Sequence, residues 1–232
     1  MSEPAILSKE GDISTITLDD GKVNVFSLEM LESIQNCLDQ VSKDSGALII
    51  RGREGIFSAG FDLKTFQSGD AKKAQKMTAL GMKTMHDLYT FPRPIIMAVT
   101  GHAIAMGIFI VCCGDYRIAL EGEFVAQANE VRNNMDIPSP IMEVAESRID
   151  KKHVYSVLYH ADPYPFDKCI EAGLLDEIAS SSDFEKRIME KAEDLASLGH
   201  PHYAKTKQAH QRPLLEAISN ACLLYTSPSP RD

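Results

Sequence analysis

Between Pro94 and Gly114 the chain carries two apolar runs, Ile95-Ile96-Met97-Ala98-Val99 and Ile108-Phe109-Ile110-Val111-Cys112-Cys113. They are joined by Thr100-Gly101-His102-Ala103-Ile104-Ala105-Met106-Gly107. The first run is short, β-branched and bounded by Pro94 and Gly101, and it reads as a buried strand. The second reads as a buried helix opening near Ala105 or Met106. A strand that passes through small residues into a helix leaves free backbone N–H groups at the helix start. Those donors, with the helix dipole, favour a negative oxygen. Gly101, Ala103, Ala105 and Gly107 let a ligand come close to the main chain. Taken alone, the segment fits two readings: half of an oxyanion hole, or a tightly packed strand–turn–helix with no ligand.

The rest of the chain narrows the setting. Its 232 residues fit one domain, or one domain with a small appendage. A formal net charge of −9 argues against nucleic acid as the main partner. No apolar run reaches membrane-spanning length, and the N-terminus lacks a basic-then-apolar signal, so no membrane partner is expected. Five cysteines, an odd count without disulfide-like spacing, point to reduced thiols and a cytoplasmic setting. Cys112 and Cys113 read as core residues.

Alternating Ile13, Ile16 and Leu18 predict a strand, with a turn at Asp19-Asp20-Gly21. Ser27 is the expected N-cap of a helix whose apolar face is Leu28, Leu31, Ile34, Leu38 and Val41, with Glu29 in its first turn. Ala47 to Ile50 reads as a buried strand, and Arg51 to Asp62 as a glycine-punctuated loop. A helix is expected from Ala71 to Tyr89, stopping before Pro92. Tyr116 to Ala119 reads as a strand, and Gly122 to Asn134 as a polar loop. Five helices follow, at about 141–149, 151–160, 166–172, 183–198 and 202–219, with Asp183 as an N-cap. The pattern is an α/β core with a helical C-terminal region. Leu223 to Asp232 is Ser/Pro-rich and is not expected to continue the last helix.

Phe57-Ser58-Ala59-Gly60-Phe61-Asp62-Leu63-Lys64 forms a tight turn in which Asp62 can cap the next segment. A backbone N–H near Phe61 can face the one from Met106, and two convergent amides polarise a carbonyl and stabilise an enolate. A turn with a helix cap is the alternative.

This pair of segments resembles the crotonase family, also called the enoyl-CoA hydratases/isomerases. The resemblance runs from about Ile6 to Ile218. It is carried by Gly21-Lys22-Val23-Asn24, Phe57 to Lys64, Gly101 to Gly107, and Gly114-Asp115-Tyr116-Arg117-Ile118-Ala119. It continues through Asn129-Glu130-Val131 with Ile137-Pro138, and Ala172-Gly173-Leu174-Leu175-Asp176. It implies a ββα spiral core over residues 1–138 carrying an acyl-CoA site and a C-terminal helical region over 139–220, while the Ser/Pro-rich composition marks 221–232 as a disordered or non-native tail. It further implies a homotrimer or hexamer, an acyl-CoA thioester substrate, and no cofactor beyond the CoA that arrives with the substrate.

By position, the resemblance assigns the thioester-binding N–H groups to Phe61 and Met106. Hydratases of this kind carry two glutamates; Phe109 stands where the first would be, and Glu130 matches the second. Glu130 is therefore the expected acid/base, with Asp136 and Glu123 as lesser alternatives and a plain surface carboxylate as the bland one. A single carboxylate suffices to move a proton from C2 to C4 of an enoyl-CoA, so double-bond isomerisation is expected above hydration, decarboxylation or thioester hydrolysis. A non-catalytic acyl-CoA-binding module is the reading from another class. Lys64, Lys22, Ala59 and Asp62 are the CoA-binding candidates; Lys72, Lys73 and Lys76 read as a solvated helix face. His102 reads as a packed histidine, and His200 and His202 as helix entry. Ser58 lacks the Gly-x-Ser-x-Gly elbow of a nucleophile. Met77, Met82 and Met85 read as helix core, with an acyl-pocket role as the alternative.

Overall fold

The computed structural model describes residues 3–226. Strands β1 (Ala5–Glu10) and β2 (Ile13–Leu18) form an antiparallel hairpin with Glu10 opposite Ile13. From β2 onward the chain repeats a strand–strand–helix turn. β2 leads through β3 (Val25–Phe26) to α1 (Leu28–Gln40). β4 (Ala47–Arg51) leads through β5 (Gly55–Ser58) and β6 (Gly60–Phe61) to α2 (Leu63–Gln67) and α3 (Ala71–Tyr89). β7 (Ile95–Val99) leads through β8 (Gly101–Ile104) to α4 (Met106–Cys112). β9 (Tyr116–Leu120) leads through β10 (Val125–Gln127) to α5 (Ser139–Glu146). The remainder adds β11 (Tyr164–Pro165), α6 (Phe166–Glu171), β12 (Glu177–Ala179), α7 (Phe184–Ala196) and α8 (His202–Thr226). The architecture is α/β, a spiral of ββα turns followed by helices.

The first strands of the turns build one six-stranded sheet, in the order β1-β2-β4-β7-β9-β12, parallel from β2 onward. The second strands build a smaller sheet, β11-β10-β8-β5. All five residues of β7 are buried, as a parallel strand covered on both faces requires. Its residues divide between two cores. Met97 and Val99 face the main core with Leu48, Ile50, Met30 and Val111, while Ile96 and Ala98 pack with Ile49 and Ile118 under Phe184 and Ile188 of α7.

Local signals fixed the longer helices. The Ser27 hydroxyl accepts from the Met30 N–H at 3.2 Å, and α1 starts there. α3 spans the expected residues, with its start capped by Asp70. Asp183 does precede α7, but makes no capping bond to the helix; its carboxylate accepts from Ser180 instead.

The expectations fail at short strands. The expected loop 51–62 contains β5 and β6, the turn 101–104 is β8, and the polar loop 122–134 contains β10 and a 3-10 turn at Val131–Asn133. β1 is a separate strand, and β11 and β12 lie within the stretch read as helices. The helix expected over 151–160 is a turn and a π-helical segment, Tyr155–Tyr159. α8 continues to Thr226, past the point where the Ser/Pro stretch was expected to stop it. The first proline there is Pro228, which constrains Ser227 but not the residues before it. Residues 227–232 of the expected tail lie outside the described residues.

Candidate active site

The site begins at the turn Gly21–Asn24. Asp20 accepts the backbone N–H groups of Lys22, Asn24 and Val25 at 2.8–3.0 Å. The fully buried Asn24 amide donates to the Leu18 and Phe57 carbonyls at 2.9 and 3.2 Å, and the Ser58 hydroxyl donates to the Asn24 carbonyl at 2.6 Å. These bonds tie β3 to β5, and β6 then pairs in parallel with β3, Phe61 beside Phe26. Ser58 thus has a structural role: its oxygen also accepts from the Gly60 N–H.

The Gly60–Phe61 segment lies against the start of α4. Gly60 has φ +87°, and a Cβ there would meet the Ala105 Cβ at 2.7 Å and the Met106 nitrogen at 3.1 Å. Met106 is the first residue of α4, where a backbone N–H has no partner within the helix. Ala105, just before it, has φ 52° and ψ −128°, a conformation L residues rarely hold. Its N–H donates to the Gln127 carbonyl at 2.8 Å, so β10 holds the turn in place. Ala105→Gly is expected to stabilise the protein by about 1 kcal/mol, because glycine adopts this conformation without strain. Urea denaturation checks it; a lowered midpoint would mean that the angle carries no strain.

Phe61, Met106 and Glu130 line one cavity of about 300 Å3, together with Phe66, Thr78, Phe109, Met135, Asp136 and the Ile137–Pro138 corner. Glu130 precedes the 3-10 turn, and the Met135 N–H returns to the Glu130 carbonyl at 3.0 Å, which folds Asp136 back to the same cavity. Glu130 is 8% exposed, and its Oε2 is buried with no hydrogen-bond partner among the described residues. Loss of solvation pushes its carboxyl up to about 7. Phe109 is 2% exposed and offers that cavity a ring, not a proton acceptor.

The other candidates separate into groups. The Ala59 N–H donates to the Val23 carbonyl at 3.0 Å, so Ala59 and the exposed Lys22 sit at adjoining turns. Lys64 is exposed in the first turn of α2. The Asp62 carboxylate is occupied: it accepts from the Lys64 N–H at 3.1 Å and the Thr65 hydroxyl at 2.9 Å. Arg53, which the sequence reading passed over, donates to the Lys22 carbonyl at 3.0 Å and adds a cation beside it. Lys72, Lys73 and Lys76 are exposed, and Lys76 pairs with Glu32 at 2.8 Å. Glu123 is exposed and does not line the cavity.

His102 accepts from the Val125 N–H at 3.2 Å and packs edge-on to Phe124. Met77 and Met85 are core, and α3 contributes Thr78 to the cavity instead. Thr78, Phe66, Met135 and Ile141 carry no signal of their own in the sequence. Thr78 sits beside the methionines of α3, which drew attention instead.

A family model described as enoyl-CoA hydratase/isomerase matches residues 8–222. The chain belongs to that family. A crystal structure of a probable enoyl-CoA hydratase from Mycobacterium tuberculosis H37Rv is 34% identical with a TM-score of 0.87, covering 94% of this chain and 92% of that one. An apo structure of the same mycobacterial protein, described as an enoyl-CoA isomerase, gives 33% identity and a TM-score of 0.86 over 95% and 96% of the two chains. A probable enoyl-CoA hydratase of Bacillus subtilis is 34% identical over 112 residues, 47% of this chain and 43% of that relative. The aligned stretch thus spans less than half of that relative. Within the family, both hydratases and isomerases resemble this chain.

Proposed function

We propose that the protein binds an acyl-CoA thioester and moves a proton on its acyl chain, with isomerisation of an enoyl-CoA double bond as the principal reaction. The observation that carries this reading is a single buried carboxylate, Glu130, in the cavity that Phe61 and Met106 also line. The backbone N–H groups of those two residues hold the thioester oxygen. Polarisation of that carbonyl acidifies the C2 proton, and a carboxylate held near 7 is matched to removing it. Glu130 takes the C2 proton of a 3-enoyl-CoA as the electron pair moves to the oxygen, then returns it at C4 as the double bond forms between C2 and C3. Phe109 supports isomerisation over hydration, because a ring cannot orient or deprotonate water.

In this reading the exposed Lys22 and Lys64 meet the CoA phosphates, with Ala59 and Asp62 contributing main chain rather than charge, since the Asp62 carboxylate is committed to its cap. Three phenylalanines and Met106 fit an apolar acyl group. The protein assembles as a trimer or a pair of trimers; the exposed, stacked Tyr155 and Tyr159 offer apolar surface for it.

The test is a panel of 2-enoyl- and 3-enoyl-CoA substrates followed for double-bond migration and for water addition, with deuterium exchange at C2 as a third readout. Migration and exchange without appreciable hydration are expected. Hydration as the faster reaction would replace the isomerase reading, and absence of all three would leave a binding module. The rate is also expected to depend on pH. The base form of Glu130 accumulates as pH rises through about 7, so kcat/KM should climb about tenfold per pH unit below that point and level off above it. A profile flat from pH 5 to 8 would remove Glu130 as the base.

A further inference from the structure

A second cavity of about 300 Å3 lies beyond the far end of α4, between α8, the end of α5 and the start of β9. Its chemistry is the reverse of the acyl cavity. No aliphatic side chain lines it, and it gathers Arg148, Lys207 and His210 with the hydroxyls of Tyr203 and Thr206 and one carboxylate, Asp115.

That carboxylate is already committed. Asp115 Oδ2 accepts from the Ile95 N–H at 2.9 Å and from Lys207 Nζ at 2.7 Å, and the paired side chains are 15% and 7% exposed. Lys207 therefore keeps two ammonium N–H groups with no acceptor among the described residues. Arg148 uses Nε and Nη2 on the Cys112 and Gly114 carbonyls, at 3.1 and 3.0 Å, and keeps its Nη1 group in the same position. Two fixed cations against one carboxylate leave the lining with one net positive charge. Burial holds the Lys207 ammonium below its ordinary range, with Arg148 adding to the effect and Asp115 opposing it. A bound anion would relieve that cost. Donors fixed by other bonds, excess positive charge and room for several heavy atoms describe a receptor for an oxyanion.

We propose that this cavity binds a small oxyanion of the phosphate class, inorganic phosphate or the head of a phosphomonoester, through Arg148, Lys207, Thr206 and His210. Because α8 supplies three of these groups and Arg148 follows α5, the anion fastens α8 to the end of α5. It binds the folded chain selectively and so raises stability by mass action.

The test uses the full chain in calorimetric titration and thermal melting, with sodium phosphate compared with sodium chloride at equal ionic strength. A saturable heat and a Tm rise of several degrees with phosphate alone are expected. Ribose 5-phosphate forms a second arm: tighter binding than phosphate assigns a phosphomonoester, weaker binding assigns inorganic phosphate, and either supports the site. Lys207→Met strands Asp115 and is open to misfolding, so the informative variants are Thr206→Val and His210→Ala, both at exposed positions. Each should weaken phosphate at least threefold and the pair at least tenfold, while Lys64→Ala, at the distant turn, should not change it. The proposal is overturned if phosphate acts no differently from chloride, if the double variant binds as tightly as the parent, or if Lys64→Ala abolishes the effect.

Discussion

Glu130→Gln is expected to lower kcat by about 1,000-fold with little change in KM, the size of effect that a positioned acid/base supplies. Glutamine fills the same space, so the cavity and its apolar lining stay as they are. The amide cannot take a proton from C2. The same substitution has a second, opposite signature. The Glu130 carboxyl is held at about 7, above its ordinary 4.5, so the unfolded chain ionises before the folded one does. Its effect on stability is nil below about pH 4.5, grows unfavourable as pH rises from there to 7, and is constant above. At full size it costs on the order of 3 kcal/mol. Glutamine removes that cost. The variant should therefore unfold at higher urea than the parent at pH 8 and at the same urea at pH 4. Inactive and more stable is a combination that a damaged fold cannot give. Parental turnover in the variant would exclude Glu130 from the reaction.

Gly60→Ala is expected to lower kcat/KM by about 100-fold or more, because the added methyl pushes the turn before α4 away from Phe61 and misaligns a donor worth about 3 kcal/mol. The methyl carbon would have to sit 2.7 Å from the Ala105 Cβ and 3.0 Å from the Ile104 carbonyl oxygen, in a backbone conformation with φ +87°. One of the two segments must move. Gly55→Ala serves as the control. Its φ of +82° is nearly the same, but nothing lies within 4 Å of the added carbon. It should lose about 1 kcal/mol of stability from backbone strain alone and keep its activity. Equal activity losses in both variants would assign the effect to strain rather than to the meeting of the two turns.

What could be read from the residues follows their range of action. Ser27, Asp70 and the Pro92 block act within a few positions of themselves, and the helices they bound stand where the pattern put them. The β7 run is apolar at every position because both of its faces are covered, and this too is written locally. β5, β6, β8 and β10 are two to four residues long, the first three of them opening on glycine, and only partners far along the chain make them strands. Glu130 shows the same limit at the site. Asn129, Arg132, Asn133 and Asn134 surround it in sequence and suggest open solvent. Phe61, Met106, Phe109 and Ile137 line the same cavity, and an apolar lining keeps water from a carboxylate. The likeness of motifs pointed to the residue; the burial that tunes it depends on the tertiary fold. The phosphate-class cavity left no trace of either kind, because Asp115, Arg148 and Lys207 are distant in sequence and belong to no motif as a group.

β12 is only Glu177–Ala179, yet it pairs with Ile118, Ala119 and Leu120 of β9 and closes the main sheet on that side. A polypeptide ending at residue 138, just before α5, would leave the outer backbone donors and acceptors of β9 bare. They would then be a template for a strand from another molecule, a route to aggregation. Such a fragment should precipitate on expression even though the acyl cavity draws all but Ile141 of its lining from it.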